Sequence, residues 1–185
     1  MINIRYAQIR ECDVSNGEGV GVALFVQGCN FHCYNCFNKD TWDFNGGKEW
    51  TLEVEDKFIE LASRPYVKRI SLLGGECLAD KNLDGVLDLV NKIRLLLPEK
   101  TIWLYTGYEW EHIFDQGYHY HPLTVEKLSI GRWRRQKIVK QCDVLIDGRY
   151  IDSLRDVSLK WKGSSNQRVI NVQESLSQNK IILYE

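Results

Sequence analysis

Val20-Gly-Val-Ala-Leu-Phe-Val-Gln27, followed directly by Gly28-Cys29-Asn-Phe-His-Cys33-Tyr-Asn-Cys36, is the stretch from which the fold can be argued. Its first part is a short apolar run rich in β-branched residues, which is typical of a buried strand. Its second part places three cysteines within eight residues, with the spacing C-x3-C-x2-C. The stretch therefore predicts a buried strand that ends in a loop of thiols.

The chain after this strand alternates between strand and helix patterns. Apolar residues recur at helical spacing in two segments, and Thr124 is available as the N-cap of a third helix. Strands alternating with helices indicate βαβ units, and hence an open parallel sheet with flanking helices. The predicted helices are 51–63, 82–97 and 124–140; the predicted strands are 20–27, 68–73, 101–105 and 142–146, with weaker patterns at 167–172 and 180–184.

Each of the four principal strands ends in a polar loop that contains glycine. In a parallel sheet these loops share one edge, where ligands bind. A single glycine after a strand is ordinary turn chemistry, but four such loops around a cysteine cluster favour a cofactor pocket. The loops are Gly28-Cys29, Gly74-Gly75-Glu76-Cys77, Thr106-Gly107-Tyr108 and Asp147-Gly148-Arg149.

Composition limits the class of protein. The chain has 185 residues, a formal net charge of −1 and 44% hydrophobic residues, so we expect one globular domain over residues 1–185. The absence of a net positive charge argues against binding of a nucleic-acid backbone. No stretch approaches the roughly 18 apolar residues of a membrane span. The first residues lack the apolar region of a secretory signal, so the expected location is the cytoplasm.

The six cysteines point to a metal or redox site, since disulfides are disfavoured in a reducing compartment. Three clustered thiolates fall short of the four ligands of a structural zinc site or an ordinary iron–sulfur cluster. Either His32 or Cys77 supplies a fourth ligand, as in a Cys3His zinc site, or one position stays open for chemistry. We expect Cys77 to be a small core residue, because free cysteine is commonly buried and inert.

The C-x3-C-x2-C motif directly after the first strand resembles the signature of the radical S-adenosylmethionine (SAM) superfamily. Within it, the chain looks like the activases that generate a glycyl radical on an anaerobic ribonucleotide reductase. The resemblance covers residues 16–169, and its motifs occur in order. They are the stretch from Val22 to Trp42, then Ile70-Ser-Leu-Leu-Gly-Gly-Glu76, Trp103-Leu-Tyr-Thr-Gly-Tyr108, Asp143-Val-Leu-Ile-Asp-Gly148 and Gly163-Ser-Ser-Asn-Gln-Arg168.

The resemblance implies an incomplete α/β barrel with two cofactors, a [4Fe–4S] cluster and SAM. Cys29, Cys33 and Cys36 would hold the cluster and be the catalytic residues, with the fourth iron left for SAM. The Gly-Gly-Glu motif would receive the methionine amino group. The residues carried over as SAM contacts are Asn35, Cys36, Phe37, Gly74, Gly75, Glu76, Thr106 and Gly107.

The activity implied is reductive cleavage of SAM to a 5′-deoxyadenosyl radical, which takes a hydrogen atom from a glycine of the partner. The implied partner is an anaerobic ribonucleoside-triphosphate reductase, and the implied reductant is a flavodoxin or ferredoxin. Two alternatives stay open: another radical SAM enzyme, such as the activase of pyruvate formate-lyase, or a structural zinc-binding module.

Three segments depart from the family or remain unassigned. The region near 111–141 looks like an insertion, and the residues after 172 look like a C-terminal extension. The basic run Gly131-Arg-Trp-Arg-Arg-Gln-Lys137 is either a solvated helix face or a docking patch for an acidic electron donor or for the reductase.

Overall fold

A computed structural model describes residues 4–114 and 125–184, without the side chains of 125–129. Its seven strands form one sheet in the order β3-β1-β2-β4-β5-β6-β7. The strands are β1 (Arg5–Asp13), β2 (Gly21–Val26), β3 (Lys48–Glu49), β4 (Arg69–Gly74), β5 (Thr101–Tyr105), β6 (Val144–Asp147) and β7 (Arg168–Asn171). The helices are α1 (Leu52–Ser63), α2 (Leu83–Leu96), α3 (Trp110–Phe114), α4 (Val125–Val139) and α5 (Val172–Gln178), with short 3-10 helices at Lys39–Thr41 and Asp152–Leu154.

The centre of the sheet is parallel and its two edges are antiparallel. β2, β4, β5 and β6 pair in parallel, which confirms the predicted parallel arrangement for the four principal strands. β1 pairs antiparallel with β2, and β7 pairs antiparallel with β6. The expectation of a wholly parallel sheet is therefore corrected. Two adjacent parallel strands need a crossover connection, usually a helix. The segments that join β1 to β2 and β6 to β7 contain no such helix, so these pairs are antiparallel.

The sequence patterns missed one strand, and one predicted strand is wrong. β1 was not predicted, although it is the longest strand, with nine residues. Its register shifts between Tyr6 and Gln8 and again between Arg10 and Asp13, and these irregularities break the alternation that marks a strand. The segment 180–184 is not a strand. It forms one isolated bridge, between Leu183 and Ile170, and covers the outer edge of β7.

One face of the sheet is covered by helices. Thr51 caps α1 by accepting a hydrogen bond from the Val54 N–H, as its position before the helix suggests. Phe58 of α1 and Val86 of α2 are fully buried against Leu72 of the central strand. The predicted cap Thr124 lies outside the described residues, as does part of the predicted insertion, 115–124. Among helices in the described ranges, none combines the length and apolar character needed to cross a membrane.

The opposite face of the sheet is filled at the amino-terminal ends of the strands by a buried ion pair. The Arg69 guanidinium lies 3.0 Å from the Asp13 carboxylate, and both side chains are almost completely inaccessible. Arg69 also donates to the Asn16 and Glu18 carbonyl oxygens, at 2.7 and 3.2 Å. Gly17 packs against both the Arg69 side chain and the Trp103 ring. A Cβ on Gly17 would lie 2.7 Å from the Trp103 ring. The loop between β1 and β2 is thereby held across the sheet.

The C-terminal residues close the same face. Trp103 of β5 packs edge-on against both Trp161 and Tyr184, with ring centroids 4.9 and 5.2 Å away. The Tyr184 hydroxyl donates to the Glu18 carboxylate at 2.7 Å. Tyr184 therefore packs on this face, while Leu176 and Ile181 pack against the core on the helical side. A large cavity stays open at the carboxyl ends of the strands.

We expect Arg69→Met to lower the free energy of unfolding by about 3–5 kcal/mol, because it leaves the buried Asp13 carboxylate without its cation. Urea denaturation of the apoprotein measures this. Arg64→Met, at the exposed Arg64–Glu11 pair, is the matched control and should change stability little. An equal loss in both variants would contradict a special role for the buried pair.

Acid should weaken the same contact. Burial raises the pKa of Asp13, but hydrogen bonds from Asn16 and Arg69 outweigh it and the net pKa is lowered. A lowered folded-state pKa contributes stability above the unfolded-state pKa and loses it as pH falls. The unfolding free energy should thus fall less steeply below about pH 5 in Asp13→Asn than in the parent. Identical pH slopes would contradict the assignment; Asp56→Asn, on an exposed helix face, is the control.

Candidate functional site

The carboxyl ends of the four parallel strands surround a cavity of about 440 Å³. This confirms the prediction that the four glycine-bearing loops share one edge. Every loop contributes lining residues: Cys29, Cys33, Cys36 and Phe37 after β2; Gly74, Gly75 and Glu76 after β4; Thr106 and Gly107 after β5; and Gly148, Arg149 and Tyr150 after β6.

The three clustered cysteines line this cavity together, and each is partly exposed. The loop turns tightly between them: Cys36 N–H donates to the Cys33 carbonyl, and His32 and Asn35 adopt left-handed backbone conformations with φ of 47° and 53°. Within the described residues, no three Cys, His, Asp or Glu side chains already converge as a metal site. The three thiols therefore share one cavity without forming a preassembled metal site.

Backbone amides point toward the sulfurs. Burial raises the pKa of the Cys29 thiol, and hydrogen bonds from the Phe31 and His32 N–H groups oppose that rise. The Cys36 sulfur accepts from the Asn38 N–H at 3.4 Å. Hydrogen bonds of this kind stabilise sulfur that carries negative charge, and they tune iron–sulfur centres.

The other candidate ligands are directed elsewhere. Cys77 is fully buried in the core beneath the helices, which confirms its expected packing role, and burial raises its pKa well above the usual range. Cys142 is equally buried, and Cys12 is exposed on β1. His32 is exposed and its ring packs on Trp42, with centroids 4.8 Å apart. Among the described residues that line the cavity, the only thiols are Cys29, Cys33 and Cys36, so the structure offers no closed four-ligand set.

Glu76 joins two strand ends. Its carboxylate is 1% exposed and accepts three hydrogen bonds, each of 2.8 Å, from the Leu78 N–H, the Thr106 hydroxyl and the Gly107 N–H. Burial raises the Glu76 pKa, while these three donors lower it in part. Both oxygens are thus engaged within the protein, and the carboxylate braces β4 against β5.

Further hydrogen bonds link the neighbouring strand ends. Gly75 N–H donates to the Val26 carbonyl at 2.8 Å, and Glu76 N–H to the Gly28 carbonyl at 2.7 Å. The buried Asn82 amide donates to the Gln27 carbonyl at 3.1 Å and to the Glu76 carbonyl at 2.9 Å. The first turn after β2 is therefore held rigidly beside the turn after β4.

Close approach explains the glycine after β5. A Cβ on Gly107 would lie 2.6 Å from the Phe31 ring, which belongs to the cysteine loop. The Phe31 ring also packs on Tyr108, with centroids 5.0 Å apart. Only glycine lets the cysteine loop pack this closely on the end of β5.

The connection from β6 to β7, residues 148–167, forms the far wall of the cavity. The Arg149 guanidinium donates to the Phe31 carbonyl at 2.9 Å. The Asn35 amide donates to the Asp152 carboxylate at 3.0 Å, and Phe37 packs on Tyr150 with centroids 5.2 Å apart. This wall therefore fastens the cysteine loop from the side opposite Gly107.

The structure brings together every predicted site residue except Asn35, which does not line the cavity. Sequence reasoning missed several other residues that line the cavity, among them Arg10 of β1, Tyr105 of β5 and Tyr150. The buried Tyr105 hydroxyl has no hydrogen-bond partner among the described residues, and burial raises its pKa. Tyr105 lies two residues after Trp103 in a predicted strand. Side chains at this spacing share one face of a sheet, so the sequence could have placed both on the same face.

We expect Glu76→Gln to destabilise the apoprotein by about 1–3 kcal/mol, because an amide nitrogen replaces an acceptor and leaves one of the three buried donors unpaired. Urea denaturation tests this, with Glu53→Gln on the exposed start of α1 as the control. Unchanged stability in Glu76→Gln would contradict the bracing role.

Comparison with known proteins agrees with this geometry. Residues 15–170 match the family model described as a 4Fe-4S single cluster domain. A crystal structure of QueE from Escherichia coli overlaps 58% of this chain and 54% of its own, with 14% identity and a TM-score of 0.44. That likeness is too weak to support an inference.

Curated relatives match along nearly their whole lengths. The chain is 36% identical over 166 residues to the anaerobic ribonucleoside-triphosphate reductase-activating protein of Vibrio cholerae, covering 89% of this chain and 96% of the relative. It is 36% identical over 168 residues to the protein of that name from Escherichia coli K12, covering 90% and 97%. The protein of that name from Enterobacteria phage T4 is 33% identical over 166 residues, covering 90% and 93%. The chain therefore belongs to the family of anaerobic ribonucleoside-triphosphate reductase-activating proteins.

Proposed function

We propose that this protein activates an anaerobic ribonucleoside-triphosphate reductase by generating a glycyl radical on it. One observation carries the proposal: three thiols, with no fourth thiol or imidazole among the described lining residues, face a cavity walled by all four parallel strand ends. A closed structural metal site needs four ligands, whereas a catalytic one keeps a position open. The donor set thus fits a [4Fe–4S] cluster with one iron free for SAM.

Cys29, Cys33 and Cys36 would hold the cluster. When bound, the cluster supplies the electron for reductive cleavage of SAM, and that chemistry belongs to the cofactors. The chain's own contribution is to bind, orient and exclude water. Phe25 and Leu73 give the cavity an apolar lining beside the cysteines, which limits access of water to the reacting groups.

Backbone groups after β4 would receive the methionine end of SAM. Gly74 and Gly75 line the cavity and carry no side chain that would block a ligand. The Glu76 carboxylate is fully engaged by Thr106 and Gly107, so we assign it to positioning and not to ligand contact. We assign the same positioning role to the Thr106 hydroxyl.

Asn35 and Phe37 flank the third cysteine and have different surroundings. The Asn35 side chain is held by Asp152, so any contact of Asn35 with SAM would use its backbone. Phe37 lines the cavity and is 61% exposed, so part of its ring is accessible to a ligand or partner. We propose Phe37 as the ring that SAM packs against.

The proposal includes an incomplete barrel in which the curved open sheet admits the partner's glycine from the side. Residues 1–185 would act as one domain, with additions near 111–141 and after 172. The reductant would be a low-potential flavodoxin or ferredoxin that works inside the cell. The hydrogen atom would leave the glycine Cα, and the radical would stay on the reductase.

Anaerobic SAM cleavage tests the chemistry. The protein reconstituted with iron and sulfide, given dithionite and SAM, should release 5′-deoxyadenosine. Cys33→Ala should lower the yield at least about 100-fold, since loss of a ligand exceeds the 10–100-fold cost of losing an outer-sphere partner. Cys12→Ala, which removes an exposed thiol on β1, is the control.

The result against the proposal is equal product from Cys33→Ala and the parent, or a colourless protein that binds zinc and no SAM. If 5′-deoxyadenosine forms, the partner is decided by adding the anaerobic reductase and recording the glycyl radical by electron paramagnetic resonance. A radical on pyruvate formate-lyase in place of the reductase would overturn the assignment of the partner.

A further inference from the structure

Large apolar side chains are exposed at the rim of the cavity. They come from two segments, the cysteine loop and the wall 148–167, and we call them the rim patch. Its members, with exposed fractions, are Tyr34 (77%), Phe37 (61%), Ile151 (42%), Leu154 (41%) and Val157 (88%).

The two segments that carry the patch are in contact with each other. The Asn35–Asp152 hydrogen bond lies between the backbones that carry Tyr34 and Ile151. The Phe37 ring packs on Tyr150, and the Arg155 guanidinium lies 5.2 Å from its centroid. Apolar side chains gathered on a rim in this way mark an interaction site, whereas scattered ones need no explanation.

The wall beside the patch carries unneutralised positive charge. It has four cations, Arg149, Arg155, Lys160 and Lys162, against two carboxylates. In the described part of the chain, none of the four has an ion-pair partner within 4.0 Å. Both carboxylates accept internal hydrogen bonds, Asp152 from Tyr150 and Asp156 from Ser158.

The basic run on α4 differs from this wall. Arg134 lies 2.5 Å from Asp84, and Arg135 lies 2.5 Å from Asp80. Arg135 also donates to the Leu78 carbonyl at 2.9 Å and is only 11% exposed. These two arginines hold α4 against neighbouring elements of the protein. Their charges are already paired, which weakens the hypothesis that residues 131–137 dock a partner.

We infer that the rim patch and the basic wall dock a segment of the reductase that carries acidic side chains next to apolar ones. This rests on the proposed function, because the glycine of the reductase must reach the cavity that the patch borders. Charge complementarity selects the acidic partner, and the apolar members supply the buried contact. An electron donor needs only to approach the cluster, whereas a chain that enters the cavity must cross this rim.

The test uses Leu154→Asp combined with Lys160→Glu, neither of which lines the cavity. Binding to the anaerobic reductase is measured by titration under nitrogen at two salt concentrations. We expect Kd to rise at least about tenfold, since truncation of anchors at interfaces has effects of this size. The parent's affinity should fall as salt rises, and the variant's should fall less.

The matched control is Leu95→Asp combined with Lys57→Glu. Leu95 is 79% exposed on α2 and Lys57 lies on α1, both on the helical side of the sheet, and the charge change is the same. Its Kd for the reductase should match that of the parent. Equal Kd values for parent and rim variant would overturn the inference.

Two further readouts separate this inference from the proposed function. With dithionite and without reductase, the rim variant should release 5′-deoxyadenosine within about twofold of the parent, a difference of about 0.4 kcal/mol in barrier. If the parent itself releases none, the proposed chemistry fails while the titration still decides the docking surface.

If the rim variant binds the reductase normally but is reduced more slowly by flavodoxin, the patch serves the electron donor, and the inference is wrong.

Discussion

The buried carboxylate of Glu76 is the constraint on which the site depends. A carboxylate without water needs donors for its oxygens, and here the donors are the Thr106 hydroxyl and the Gly107 N–H at the end of the next strand. The carboxylate therefore sets the spacing of β4 and β5 at the edge where the cavity opens. Because Gly107 is held there, the ring of Phe31 packs on it, and the cysteine loop is placed beside the strand ends.

The same sheet is closed at its other end. Arg69 and Asp13 fill the amino-terminal side of the face opposite the helices, and Trp103, Trp161 and Tyr184 cover it with aromatic contacts. Side chains fill the amino-terminal end of this face, and Glu76 joins the strands at the carboxyl end. The cavity therefore lies at the carboxyl edge, where parallel sheets bind ligands. Cys29, Cys33 and Cys36 line this cavity together.

The central strands and the shared edge could be predicted, because their information is local. β2 is a continuous apolar run, and the rule for parallel sheets then places the four loops together. β1 could not be predicted, because its register shifts hide the alternation of Tyr6 and Ile9 against the core. The roles of Asn35 and Asp152 depend on a contact between residues 117 positions apart, which no spacing in the sequence indicates. The wall 148–167 is irregular, so it has no periodicity to read.

We propose that Cys29, Cys33 and Cys36 hold a cluster whose fourth iron is free for SAM. Mössbauer spectroscopy of the protein reconstituted with iron-57, recorded with and without SAM, tests it most directly. We expect one iron of the four to change its isomer shift and quadrupole splitting when SAM is added, while the other three do not. Four irons that all remain unchanged on saturation with SAM would contradict it.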